Sequence, residues 1–138
     1  MALDLIVVTP HGEAFSEPVE QVVLPGAEGD FGVLESHEKF LAPLKAGAME
    51  IKLADGNSEW AAISSGFAEV TGSQVVVLVD ECFKAHEIDL AHAQHTKAEA
   101  EEELKNLLEE INGEEHRARL EHAVVRAAVH IDVHGRHI

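Results

Sequence analysis

Proline and glycine divide this chain into two parts that cannot share one kind of secondary structure. All four prolines (Pro10, Pro18, Pro25, Pro43) fall early, and the 95 residues after Pro43 contain none. Eight of the ten glycines precede residue 85. Proline removes a backbone donor and glycine loosens the chain, so a segment carrying many of both is confined to short elements joined by turns. The proline-free remainder can form long helices. Histidine shows the reverse bias, with two of ten before residue 85 and eight after. These shifts place a domain boundary between residues 84 and 85.

Residues 1–84 read as strands. Leu3 to Thr9 is apolar and β-branched, and Pro10 and Gly12 break it. Val19 to Leu24 is a second run, closed by Pro25-Gly26. Met49, Ile51 and Leu53 alternate with Glu50 and Lys52, the period of a half-buried strand. Asp55-Gly56 offers the type I′ chemistry of a tight hairpin, with Glu59 to Ile63 returning. Gly72-Ser73 separates Phe67–Val70 from Gln74–Val79 in the same manner. Strands about every ten residues, with a turn signal each time, point to an antiparallel β-sandwich or barrel.

Residues 85–138 read as two helices. Leu104, Leu108 and Ile111 fall on one face, with Ala91 and Ala98 extending it backwards, and Asn112-Gly113 supplies a C-cap signal. Leu120, Val124, Ala127 and Ile131 form a second stripe. The expected unit is an antiparallel helical hairpin joined by a turn of two or three residues. Its stripes lean on alanine, so it buries too little to stand alone and must dock on the sandwich, on itself with a ligand, or on a partner. A weakly docked element is easily redirected, which suggests a movable arm on a rigid base.

Charge narrows the function. The 138 residues carry 26 acidic and 10 basic side chains, a formal charge of −16 with neutral histidines. The first part holds −10 and the second −6, and all four arginines lie in the second. Such a field repels phosphate backbones and anionic lipid, so neither nucleic acid nor inserted lipid is an expected partner. The longest aliphatic run, Val75 to Val79, is too short to span a bilayer. The opening MALDLIVVTP has neither a basic n-region nor an apolar h-region, so no export signal is expected. The single cysteine, Cys82, excludes an internal disulfide and reads as a buried structural thiol in a reducing compartment.

No phosphate loop, dinucleotide fingerprint, nucleophile elbow or HExxH helix is present, and no catalytic residues are expected. Gly26, Gly29 and Gly32 recur every third residue, but Glu28 and Asp30 between them would repel a phosphate, so the stretch reads as a sharp surface loop. His92 and His95, and His130, His134 and His137, have spacings that can surround zinc. Gly135 ends the second helix, however, and no carboxylate or cysteine completes a site. Glu99, Glu101, Glu102 and Glu103 read as a solvated helix face. Arg119, His122, Arg126 and His130 align along one face of the second helix. That positive stripe could meet acidic partner segments, a phosphate group or the glutamates of the first helix.

Residues 19–51, VEQVVLPGAEGDFGVLESHEKFLAPLKAGAMEI, resemble the epsilon subunit of bacterial F-type ATP synthase. The family's glycine-rich loop appears as Glu28-Gly29-Asp30-Phe31-Gly32-Val33, followed by His37, Leu41, Leu44 and Gly47. A second match, SSGFAEVTGSQVVVLVDEC at residues 64–82, is similar to the family's S-G-G-x-x-E-V and the valine-rich strand after it. The resemblance covers essentially the whole chain.

The resemblance implies a ten-stranded β-sandwich (residues 1–84) followed by an antiparallel two-helix hairpin (residues 85–138), without a catalytic centre. It implies a central-stalk rotor subunit that couples ion flow through the c-ring to ATP synthesis. The chain would be peripheral on the cytoplasmic face of the bacterial inner membrane. Its implied partners are the gamma subunit, the c-ring and the alpha/beta catalytic hexamer. Glu28, Asp30 and Phe31 would meet the c-ring, and His37 and Glu38 the gamma subunit. One departure lies here: the family usually reads P-G-H-A-P, where this chain has Glu35-Ser36-His37-Glu38-Lys39. The hairpin would be an arm that inhibits ATP hydrolysis, with Arg119 and Arg126 on the inhibitory helix. In some members ATP holds the arm folded through an I/L-D-x-x-R-A motif and arginines of the second helix. The matching positions are Ile88, Asp89, His92, Ala93, Arg119 and Arg126, with His92 replacing the motif's arginine. Imidazole lacks the permanent bidentate fork of guanidinium, so weak ATP binding at most is expected, and no other cofactor. The alternative reading is a histidine-rich metal- or nucleotide-binding sensor module.

Overall fold

The computed structural model describes residues 3–35, 39–107 and 113–136. Ten strands come first: β1 (Leu3–Thr9), β2 (Gly12–Val19), β3 (Gln21–Gly26), β4 (Gly29–Val33), β5 (Lys39–Leu44), β6 (Gly47–Lys52), β7 (Ser58–Ile63), β8 (Gly66–Thr71), β9 (Gln74–Val79) and β10 (Cys82–Lys84). A short 3₁₀ turn at Ala85–Glu87 leads into α1 (Leu90–Lys105), and α2 (Gly113–Gly135) follows. The expected succession of a ten-stranded sandwich and two helices is therefore the observed one.

The strands run β10-β7-β6-β3-β5-β8-β9-β1-β2, with β4 on the other side of β3. Strand β3 pairs with β6 over Gln21–Val23, but with β5 only through Gly26 and Leu44. That single pair is the corner at which the sheet folds over itself. Alternate residues of the two halves then face each other: Leu3, Leu5 and Val7 of β1, Val75, Val77 and Val79 of β9, and Val70 of β8 meet Leu24, Met49, Ile51 and Ile63. Apolar burial on this scale is the dominant favourable term for the domain.

Three strand assignments depart from the sequence reading. Strand β2 was hidden by Pro18, but it lies at the sheet edge and pairs with β1 alone, where a missing donor does no harm. The glycine-rich stretch is a hairpin of β3 and β4 rather than a loop, and only Ala27 and Glu28 lie in its turn. Strands β1 and β9 pair in parallel, so the sheet is not wholly antiparallel. The turn at Asp55-Gly56 also differs. Only Gly56 has a positive φ, of 90°, whereas type I′ needs two such residues. The connection instead spans Leu53–Asn57, with the Asp55 carboxylate accepting the Asn57 N–H at 2.9 Å.

The helices also begin and end differently. Helix α1 stops at Lys105 with Asn106 as its cap, and Gly113 opens α2 rather than closing α1. Leu108, Ile111 and Asn112 lie outside the described residues. The buried alanines of α1 are Ala93 and Ala100; Ala91 and Ala98 are exposed. On α2 the expected stripe is right, with Ala127 buried and Leu120, Val124 and Ile131 half-buried.

Candidate functional site

Helix α2 lies on the outer face of β6, β7 and β10, and α1 packs against α2. Ala48 and Ala62 point outward there, and their small side chains admit a helix, while Trp60 and Phe83 wall the groove. Val133 of α2 is fully buried in it, together with Ala85 and Ile88 and against Val129. Among the described residues this second cluster has four buried members, against eighteen in the sandwich core. The arm is thus held much more weakly than the sandwich holds itself.

A charged fork completes the junction. Arg126 donates from Nε to Oε1 of Glu81 at 2.7 Å and from Nη2 to Oε2 at 2.9 Å. Ser64 sets Glu81 in place, its hydroxyl oxygen accepting the N–H groups of Asp80 and Glu81 at 2.9 and 3.1 Å. Bidentate geometry makes this the strongest class of ion pair. Arg126 holds the Glu81 carboxyl below the usual range, chiefly through these hydrogen bonds. The sequence reading offered the glutamates of the first helix as one possible partner of the positive stripe. The residue that pairs with Arg126 is instead an acid of the β9–β10 connection. Nothing distinguished Glu81 in the sequence from its neighbour Asp80.

Between the fork and the start of α1 lies a cleft of about 190 Å³. Phe83, Glu87, Ile88, Asp89, His92, Ala93, Arg126 and His130 are among its lining residues. The fold thus brings together Ile88, Asp89, His92, Ala93 and Arg126, five of the six positions named for a degenerate nucleotide site. Arg119 does not line the cleft; it is exposed, and among the described residues it makes no ion pair. Several of the polar groups already have structural work. Asp89 is the N-cap of α1, accepting the His92 N–H at 3.0 Å. Glu87 accepts the Lys84 N–H at 2.8 Å and fixes the hinge. An anion entering the cleft would have to compete with Glu81 for Arg126.

His130 sits edge-on to Phe83, ring centres 5.3 Å apart, and the Arg126 guanidinium lies 5.8 Å from the same ring. Burial, then Arg126, lowers the pKa of His130. Burial, then Glu87, pushes the Cys82 thiol up to about 11, as befits a structural residue. Among the described residues no three histidine, cysteine or acidic side chains converge as metal ligands. His137 lies outside them.

The other named positions lie elsewhere. Glu28 and Asp30 are exposed at the end of the β3–β4 hairpin. Phe31 is half-buried against the core and meets Phe40 edge-on at 6.2 Å, so it supports the hairpin as much as it faces outward. His37 and Glu38 are outside the described residues. The sequence reading missed an apolar outer face on β5, β8 and β9. Phe67 pairs across the strands with Pro43 and Leu78, and Leu41, Phe67 and Leu78 are 63%, 51% and 45% exposed. Alternation within valine-rich strands concealed it.

The family described as ATP synthase, Delta/Epsilon chain, beta-sandwich domain matches residues 2–85. The chain belongs to this family. It is 38% identical over 128 residues to the ATP synthase epsilon chain of Nitratidesulfovibrio vulgaris strain DP4, covering 93% of this chain and 95% of that one. The epsilon chain of Citrifermentans bemidjiense is 41% identical, with 92% of each covered. Among solved structures, a chain of the Euglena gracilis mitochondrial ATP synthase, in an assembly with the c-ring, superposes with a TM-score of 0.79. It is 25% identical and covers 92% of this chain and 78% of its own. A chain of the Tetrahymena thermophila central stalk and c-ring shares the fold at a TM-score of 0.63 and 15% identity, with 97% of each chain covered. This epsilon-family chain is a non-catalytic stalk subunit of ATP synthase. None of its described helices is long and apolar enough to cross a membrane.

Proposed function

We propose that the chain is a rotor subunit of two functional parts, residues 1–84 as the coupling base and residues 85–138 as an arm that restrains ATP hydrolysis. The observation that carries this reading is the unequal hold on the two parts. Among the described residues, eighteen buried side chains secure the sandwich, while a cluster of four and one ion pair, about a third exposed, secure the arm. A part held so lightly can exchange its docked contacts for those of a partner.

The base would join two partners. The exposed face carries Leu41, Phe67 and Leu78, with Glu69 opposite Leu41, and exposed large apolar side chains gathered on one face are the kind of surface that a permanent subunit covers. It lies on the strands that follow His37 and Glu38, and we assign it with them to the gamma subunit. Glu28 and Asp30 present an acidic tip that suits basic loops of a c-ring, where charge matching sets orientation more than affinity. This arrangement would keep the chain peripheral, on the cytoplasmic face of the bacterial inner membrane, and couple ion flow to ATP synthesis.

The test is reconstitution with gamma and the alpha/beta hexamer. The full chain should lower ATP hydrolysis, whereas residues 1–84 should still bind gamma and leave hydrolysis unrestrained. Equal hydrolysis with both forms would overturn the regulatory part.

A nucleotide-sensing arm is the second reading, favoured by the convergence of Ile88, Asp89, His92, Ala93 and Arg126 on one cleft. Because Glu81 already occupies Arg126, ATP binding there should be weak. Chemical shifts of the arm that do not move at millimolar ATP would exclude it.

A further inference from the structure

We propose that His130 makes docking of the arm sensitive to acid: its neutral ring fits the junction beside the Glu81–Arg126 fork, and its protonated ring drives the arm off the sandwich. This rests on the detachable arm proposed above, and on nothing about hydrolysis. The geometry is that of an overloaded position. One aromatic ring, Phe83, is shared by His130 at 5.3 Å and the permanent cation of Arg126 at 5.8 Å. His130 also lines both the large cleft against α1 and a smaller one beneath α2, so its ring is wedged between helix and sheet.

The charged groups around it come from every element packed there. The β9–β10 connection contributes Glu81, the hinge Glu87, the N-cap of α1 Asp89, and α1 itself His92. Helix α2 adds His122, Arg126 and, one turn beyond, His134. From β7 and the turn that follows it come Ala62, Ile63 and Ser64, without charge. Each nearby acid already has a partner: Glu81 holds Arg126, Glu87 the Lys84 N–H and Asp89 the His92 N–H. An imidazolium at His130 would add positive charge beside Arg126, and burial with that repulsion outweighs the attraction of Glu81, which Arg126 already holds.

Linkage fixes the direction. Burial and Arg126 lower the pKa of docked His130, while a released arm restores the ordinary value of about 6.5. Docking is thus undiminished above that value and loses stability as pH falls through the lowered one. Glu81 is held below its ordinary 4.5, so the fork itself stays charged across this window. Loss of docking in mildly acidic solution is assigned to His130.

The chain's one tryptophan reports on it. Trp60 packs against the Val133 cluster and lies 4.4 Å beneath the Arg136 guanidinium of α2, so release of the arm exposes it. Trp60 emission of the full chain is to be followed from pH 8 to pH 5. A red shift with its midpoint below about 6.5 is expected for the wild type, retained in His122→Gln and lost in His130→Gln. His130→Lys, a fixed cation, should be red-shifted already at pH 8. Far-UV circular dichroism confirms that each variant keeps its secondary structure. An unshifted wild type, an unaltered titration in His130→Gln, or a docked His130→Lys would each overturn the proposal. The reading is made on the free chain, so a failure to restrain hydrolysis in the assembled enzyme is seen separately.

Discussion

Glu81 and Arg126 lie 45 residues apart in the chain, and two parallel hydrogen bonds of 2.7 and 2.9 Å join them. The pair ties the last turn of the sandwich to the middle of α2, where no other ion pair among the described residues links base and arm. Each side chain is about a third exposed, so solvent screens the attraction. Arg126→Lys replaces the fork with a point charge and should weaken arm docking by about 1 kcal/mol. Amide exchange in α2 checks this: its protection should fall roughly fivefold while β-strand protection is unchanged.

Cavities in the two apolar clusters should have separable effects. Leu5 is fully buried in the sandwich, and Leu5→Ala should cost about 3 kcal/mol of global stability. Val133→Ala empties the small cluster under α2 and should cost about 2 kcal/mol of docking. Thermal unfolding read at the strands reports the first, and limited proteolysis of the arm the second.

Gly66 opens β8 against β9, where a Cβ would collide with the backbone carbonyl oxygen of Leu78. Since backbone must move to admit it, Gly66→Ala should destabilise the sandwich by about 2 kcal/mol or more. Gly56→Ala meets no atom but keeps a φ of 90°, so about 1 kcal/mol is expected there. Urea unfolding midpoints should rank the two variants in that order.

The Cys82 thiol, raised to about 11, should resist alkylation in the native chain near pH 8 and react readily in denaturant. Its linkage runs opposite to that of His130. The native state keeps the proton above the ordinary pKa, so stability falls as pH rises past about 9. A Cys82→Ser variant should show less of that alkaline loss in thermal melts.

Asp30→Asn with Glu28→Gln should leave the melting temperature of the isolated chain nearly unchanged, since both side chains are exposed. In the assembled enzyme the same pair should lower ion-driven ATP synthesis and make coupling less sensitive to salt.

Regular alternation and turn residues made most of the sandwich legible from sequence, because Met49, Ile51 and Gly72 leave few local alternatives. Strand β2 escaped because Pro18 signals a break unless the strand is known to be an edge, which only the fold decides. Strand β4 escaped because exposed Glu28 and Asp30 flank its opening glycine and suggest a loop. Five of the six nucleotide-site positions do converge, yet the partner of Arg126 was invisible. Glu81 gains its role from the Ser64 hydroxyl and from an arginine 45 residues away, and neither leaves a periodic trace. Asp89 proved to be a helix cap, a role that its place directly before Leu90 did signal.

The parallel pairing of β1 with β9 has a consequence for biosynthesis. Asp4 meets Gln74 and Val8 meets Leu78, so each contact waits for 70 further residues. As the chain emerges, β1 can rest only on β2, its other edge open until β9 arrives. Loop-closure entropy makes such late, distant pairing slow. Helix α2 reaches its groove only after this closure, because β10 and Glu81 follow β9 directly. The last piece of the nascent chain to find its place is thus the arm that we propose restrains hydrolysis, and an unfinished base presents it with no dock.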